Sequence, residues 1–189
     1  MKILFLIPSL LYGGQEKAGM VLTNYLQEHH DVLVVCLEPP HPMAFPYRAP
    51  IERIPIPLRK SIAGKFVVMW QRMLALRKIK KRFRPDVSIA FGDTAILLNC
   101  ISLTGEKKFS SIRHSLAKQP HSRFLYKILY RMAGQLVPVH HGINRELETL
   151  YGIRNHVFAY NGYNLQQIQQ DAAQPIEPNL ASFLQQKVL

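Results

Sequence analysis

Acidic residues are scarce in this chain. Twelve Asp and Glu stand against 24 Lys and Arg in 189 residues, a formal charge of +12. So basic a surface points to anionic partners, whether nucleic acid, anionic lipid or phosphorylated substrates, and net charge does not choose among them. Cysteine is also rare. Cys36 and Cys100 lie far apart, match no metal-ligand spacing, and read as two reduced core residues of a cytosolic protein. Long apolar runs are missing. No stretch approaches the roughly 18 apolar residues that span a bilayer. The apolar start follows a single lysine and lacks a small-residue cleavage site, so it reads as a buried strand and not as a secretion signal. No G-x-G-x-x-G follows that strand, which excludes the usual nicotinamide fingerprint.

What is present is strand alternating with helix. Ile3–Ile7 (ILFLI) is apolar without alternation, as a central strand buried on both faces would be. Gly13-Gly14 interrupts, and a helix is predicted over about 15–29, packing through Ala18, Val21, Leu22, Tyr25 and Leu26. Further strands are predicted at 31–37, 51–54, 87–91, 108–113, 135–139 and 157–160. A proline-rich loop, PPHPMAFPYRAP, follows the second. Helices are expected at 61–84, 93–103, 121–133 and 142–151. This order predicts an α/β, three-layer Rossmann-like sandwich around a mainly parallel sheet with right-handed crossovers. Residues 1–163 form the predicted domain. Residues 164–189, rich in glutamine and ending in Lys187-Val188-Leu189 like a strand beginning, read as a linker and the start of a second domain.

The candidate site residues lie where strands end. In open parallel sheets ligands bind beyond the carboxyl ends of strands, at helix N-termini. Gly13 and Gly14 sit at such a place, where backbone can approach a phosphate or a sugar hydroxyl; a plain steric turn is the alternative. Gly92 and Asp93 follow another strand and either line an acceptor pocket or, for Asp93, cap a helix. Arg113, His114 and Ser115 end a third. An imidazole both donates and accepts hydrogen bonds, which suits a polyhydroxylated ring. His140 and His141 end a fourth strand. Neighbours on a strand face opposite ways, so one metal is not expected to take both.

The segment 59–84 carries Arg59, Lys60, Lys65, Arg72, Arg77, Lys78, Lys80, Lys81, Arg82 and Arg84 around an apolar stripe of Phe66, Trp70, Met73, Leu76, Ile79 and Phe83. Two readings fit: a solvated helix covering the sheet, or a helix lying on an anionic membrane. No binding motif or aromatic-basic interleaving supports nucleic acid.

Taken together, IPSL, GGQEKAG and VHHGINRELETLYGI…VFAYNGYN resemble the N-terminal half of a GT-B glycosyltransferase of glycosyltransferase family 4, over residues 1–164. The resemblance implies a retaining, hexosyltransferase-type enzyme. It would move a sugar from a nucleotide-sugar donor to a glycan or lipid-linked acceptor in surface polysaccharide or lipopolysaccharide synthesis. It would work without cofactor or metal, in the cytoplasm, and at times peripherally on the inner face of the membrane. It implies His114 as the residue contacting the transferred sugar, with Gly13, Gly14, Gly92, Asp93, Arg113, Ser115 and His141 binding substrate. His141 departs from the family pattern, which has serine or threonine before glycine there. The family's Glu-x7-Glu belongs to the second domain and is absent here, so this piece is not expected to transfer sugar alone. The alternatives are a membrane-docking or partner-binding module without catalysis, or another GT-B enzyme such as a nucleotide-sugar epimerase.

Overall fold

A computed structural model describes residues 1–57, 59, 61–117, 123–155, 157–162 and 165–174. The expectations for Lys60, for the strand beginning at Lys187 and for most of the 164–189 segment lie outside these residues. The elements follow in the order β1 (Lys2–Ile7), α1 (Gly14–Leu26), β2 (Asp31–Cys36), β3 (Ile51–Arg53), α2 (Ile62–Phe83), β4 (Val87–Phe91), α3 (Asp93–Ile101), β5 (Lys107–Ile112), α4 (Arg123–Met132), β6 (Gln135–Pro138), α5 (His141–Tyr151) and α6 (Leu165–Ala172). The six strands form one parallel sheet in the order β3-β2-β1-β4-β5-β6. The order reverses between β1 and β4, and that reversal opens a crevice at the carboxyl rim.

β1 is buried on both faces, as its unbroken apolar run requires. Leu4 and Leu6 join the core beneath α2, α3 and α5, while Ile3, Phe5 and Ile7 join a smaller core beneath α1. The Phe5 and Phe91 rings meet edge-on at 4.6 Å. α1 turns differently from its predicted face. Gly19 and Thr23 are its buried residues, and Tyr25 is exposed. The reason is a close approach: a Cβ at Gly19 would stand 3.1 Å from the Phe5 ring and 3.0 Å from the Tyr47 hydroxyl.

α2 also departs from its predicted stripe. Val68, Met73, Leu76 and Ile79 are buried, but Phe66 is 74% and Trp70 62% exposed. Two of its cations turn inward. Arg72 donates through Nε and Nη2 to the Ile56 carbonyl (3.1 and 2.6 Å). Lys80 Nζ reaches Glu106 (2.5 Å), Asn99 Oδ1 (2.6 Å) and Ser102 Oγ (2.8 Å). A buried lysine survives only when fully partnered. Burial draws the Lys80 ammonium down to about 8. Burial alone would raise Glu106, yet the Lys80 hydrogen bond and charge outweigh it and hold the carboxyl below its ordinary value.

The predicted strand at 157–160 does not form. The segment joins no ladder, and Ala159 N–H donates to the Pro138 carbonyl (3.0 Å). The Tyr-Gly-Ile segment is a helix end: Tyr151 is buried, and the Gly152 and Ile153 amides close α5 onto Glu148 and Leu147.

Lys80→Ala should cost about 3–5 kcal/mol in urea unfolding, because it leaves Glu106 buried and unpaired. A Lys80→Met/Glu106→Leu double variant should recover most of that loss, and equal losses in both would refute a dominant role for charge pairing. The Glu106 share of stability should be present at neutral pH and fade as pH falls through its lowered value.

Candidate functional site

The site grows from the loop that leaves β5. Phe91 pairs with Ser111 in the β4–β5 ladder, so the residues just beyond each strand emerge side by side at the rim. Gly92 has φ +82°, a conformation that favours glycine, and it swings the chain directly into α3. The correction to Asp93 follows from this. Gly92 occupies the N-cap, and Asp93 is the first helical residue, where the helix dipole favours its charge.

The Asp93 carboxylate points to the neighbouring loop. His114 Nε2 lies 3.4 Å from Asp93 Oδ2, and the Tyr126 hydroxyl of α4 donates to the same oxygen at 3.0 Å. The Asp93 hydrogen bond raises the His114 imidazole above its ordinary value. Burial opposes that rise, and the charges of Asp93 and Glu146 add to it. Burial first, then the Asp93 charge, pushes the Tyr126 phenol up to about 12.

From the other side, Glu146 of α5 accepts from the Ser115 hydroxyl (2.9 Å) and from the Leu116 N–H (2.5 Å). Arg113 lies over the Phe91 ring, 4.4 Å from its centroid, and donates to Asn161 Oδ1 at 2.5 Å. Residues 113–116 are thus tied to α3, α5 and the segment after α5, and the Asp93 link extends to α4.

A cavity of about 1020 Å³ opens between this loop and α1, lined among others by Gly14, Lys17, Arg48, Arg113, His114 and Asn161. That is as large as small-molecule sites usually are. Of the predicted site residues, Gly14, Arg113 and His114 line it. Gly13 caps α1 with φ −179°, an extended conformation open to any residue. Gly92 sits beneath, where a Cβ would meet Gln15 (3.2 Å) and Pro8 (3.4 Å). Asp93 and Ser115 hold the loop. His141 and His140 are not on a strand. His140 caps α5, its Nδ1 accepting from the Gly142 N–H (2.9 Å), and the His141 ring packs on Phe158 at 3.9 Å. Among the described residues no cluster of three or more His, Cys, Asp or Glu side chains is placed to hold a metal.

Sequence reasoning missed Lys17, Arg48, Tyr126, Glu146 and Asn161. Lys17 was recoverable, three residues past Gly14 on one face of α1. Glu146 and Tyr126 carried no local signal, because their partners lie about 30 residues away in sequence.

This sheet order, with its loops gathered at one rim, is a Rossmann-like α/β architecture, and solved structures of GT-B proteins share it. The apo form of the lipopolysaccharide outer core galactosyltransferase WaaB matches with a TM-score of 0.67 at 16% identity, over 87% of this chain and 46% of that one. Anabaena Alr3699/HepE in complex with UDP and glucose matches with a TM-score of 0.67 at 16% identity, over 100% of this chain and 50% of that one. UDP-GlcNAc 2-epimerase from Methanocaldococcus jannaschii gives 0.57 at 12% identity, over 100% and 54%. At these identities the likeness is one of fold. The chain spans about half the length of these proteins. No curated protein sequence matches. The glycosyltransferase family 4 pattern matches residues 12–167, and the chain belongs to that family.

Glu146→Ala should free residues 115–116. Two hydrogen bonds to a charged group are lost, each worth about 1.5–3 kcal/mol. The Leu116 amide should therefore exchange with solvent at least roughly tenfold faster. Unchanged exchange at Leu116 would show that Glu146 does not hold the loop.

Proposed function

We propose that this chain is the N-terminal, acceptor-side half of a retaining hexosyltransferase. It takes a sugar from a nucleotide-sugar donor bound mainly by a second domain and passes it to a glycan or lipid-linked acceptor of surface polysaccharide or lipopolysaccharide. The observation that carries this reading is the rim cavity, where Arg113 and His114 face the N-terminal turn of α1. The amides at Gly14 and the cations Lys17, Arg48 and Arg113 suit a phosphate or pyrophosphate group. His114, held by a carboxylate, suits the hydroxyls of the transferring ring. Neutralising the leaving diphosphate with cations and helix dipoles needs no metal or cofactor, and that is part of the proposal. An epimerase would need a pair of acid and base carboxylates at the reacting carbon. Glu28 is the acidic residue among those described as lining the cavity, which favours transfer over epimerisation.

Approach to a lipid-linked acceptor would use two helices. Phe66, Val67, Trp70 and Leu74 stand exposed along α2, with Lys78, Lys81 and Arg82 further along the same helix. On α4, Phe124, Leu125, Ile128 and Met132 are exposed between Arg123, Lys127 and Arg131. Apolar side chains flanked by cations fit the surface of an anionic bilayer, with about 1 kcal/mol for each Lys or Arg near it. Among the described residues no helix is long and apolar enough to cross a membrane.

In the protein joined to its donor-binding half, His114→Ala should lower kcat for sugar transfer roughly 10²-fold or more. Unchanged turnover removes His114 from the site, and an epimerised nucleotide sugar in place of a glycosylated acceptor overturns the transferase reading. Trp70 is the single tryptophan of the chain, so its emission should shift to the blue on phosphatidylglycerol vesicles at low salt, and not on phosphatidylcholine. A shift indifferent to lipid charge would count against membrane docking.

A further inference from the structure

We propose that Asp93 is the positioning residue of the rim: its carboxylate, anchored by the Tyr126 hydroxyl, sets both the orientation and the charge of the His114 imidazole. The geometry comes from the fold. Parallel pairing of Phe91 with Ser111 brings the ends of β4 and β5 together, and the left-handed Gly92 starts α3 with Asp93 beside His114. The dipole of α3 favours negative charge at this position. One oxygen, Oδ2, is shared between the phenol and the imidazole, so the two compete for the same negative charge.

Among the described residues, the other groups near His114 divide by sign. Glu146 of α5 adds negative charge. Arg113 next in chain and Lys17 across the cavity on α1 add positive charge, and Tyr126 and Tyr130 on α4 are neutral at ordinary pH. The raised His114 value agrees with Asp93 as the dominant partner. By linkage the pair adds stability at a pH below the ordinary histidine value, and that stability is lost as pH rises through the folded value. The rim is therefore more positive on the acid side, where it holds an anionic ligand more tightly. Only the consequence for sugar transfer rests on the functional reading above; the pairing itself is tested without any substrate.

The test is the pH titration of the His114 ring C–H signals by NMR in the full 189-residue chain, assigned with His114→Gln. Asp93→Asn should move the His114 midpoint down. Tyr126→Phe should move it up, because a carboxylate released from the phenol binds the imidazolium more strongly. Glu146→Gln should lower it by less than Asp93→Asn. A simple packing role would shift the Asp93 and Tyr126 variants the same way, and that result, or no shift in Asp93→Asn, overturns the proposal. If Asp93→Asn loses its native amide spectrum, Tyr126→Phe decides: an upward shift supports the pairing, and none or a downward shift overturns it.

Discussion

Because Ile3–Ile7 must be covered on both sides, β1 needs a strand against each edge and a layer against each face. That requirement places β2 on one side and β4 on the other, puts α1 over one face, and leaves α2 and α3 to cover the opposite one. The reversal of strand order follows from this arrangement, as does the crevice where the two halves of the sheet diverge. The rim loops take part in the site because they all emerge at this end of the sheet. The Phe5–Phe91 contact, which joins β1 to β4, lies under the same rim and gives Arg113 an aromatic face to rest on.

Much of the fold was legible in the sequence because its central strands are continuous apolar runs and its helices have clear ends. Ser61 caps α2 through its hydroxyl, and Gly152 closes α5, as their residue types suggest. Errors arose where tertiary contacts overrode helical periodicity. Tyr25, Phe66 and Trp70 have the spacing of core residues and stand in solvent, while Gly19, Arg72 and Lys80 do not look like core residues and are buried. A lysine inside a protein is invisible to hydropathy, since its partners Asn99, Ser102 and Glu106 are found only after α2, α3 and β5 have packed. The segment 157–160 looked like a strand from its composition, but it makes a backbone bond to Pro138 at the rim and adds no strand to the ladder.

The site was legible in outline and not in its wiring. Strand ends followed by Gly92, His114 or Gly14 are readable, because the chemistry of parallel sheets concentrates there. What the sequence does not show is which polar groups face a ligand and which hold the loop. Asp93 and Ser115 resemble ligand-binding residues by position, yet the partners described for them are protein groups in the loop after β5, on α4 and on α5. His140 and His141 illustrate the same limit. One caps a helix and the other packs against an aromatic ring, two uses of imidazole that a strand-end position does not suggest.

The register of β1 also bears on how the chain is made. Ile3 pairs with Val32 on one edge and with Val87 on the other. A ribosome adding about 5–20 residues per second delivers the first partner early and the second several seconds later. During that interval one edge and much of one face of the most apolar segment have no neighbour. Pairing with Val87–Phe91 closes the open edge, but Leu4 and Leu6 stay uncovered on their face until α3 and α5, later still in the chain, have packed onto it.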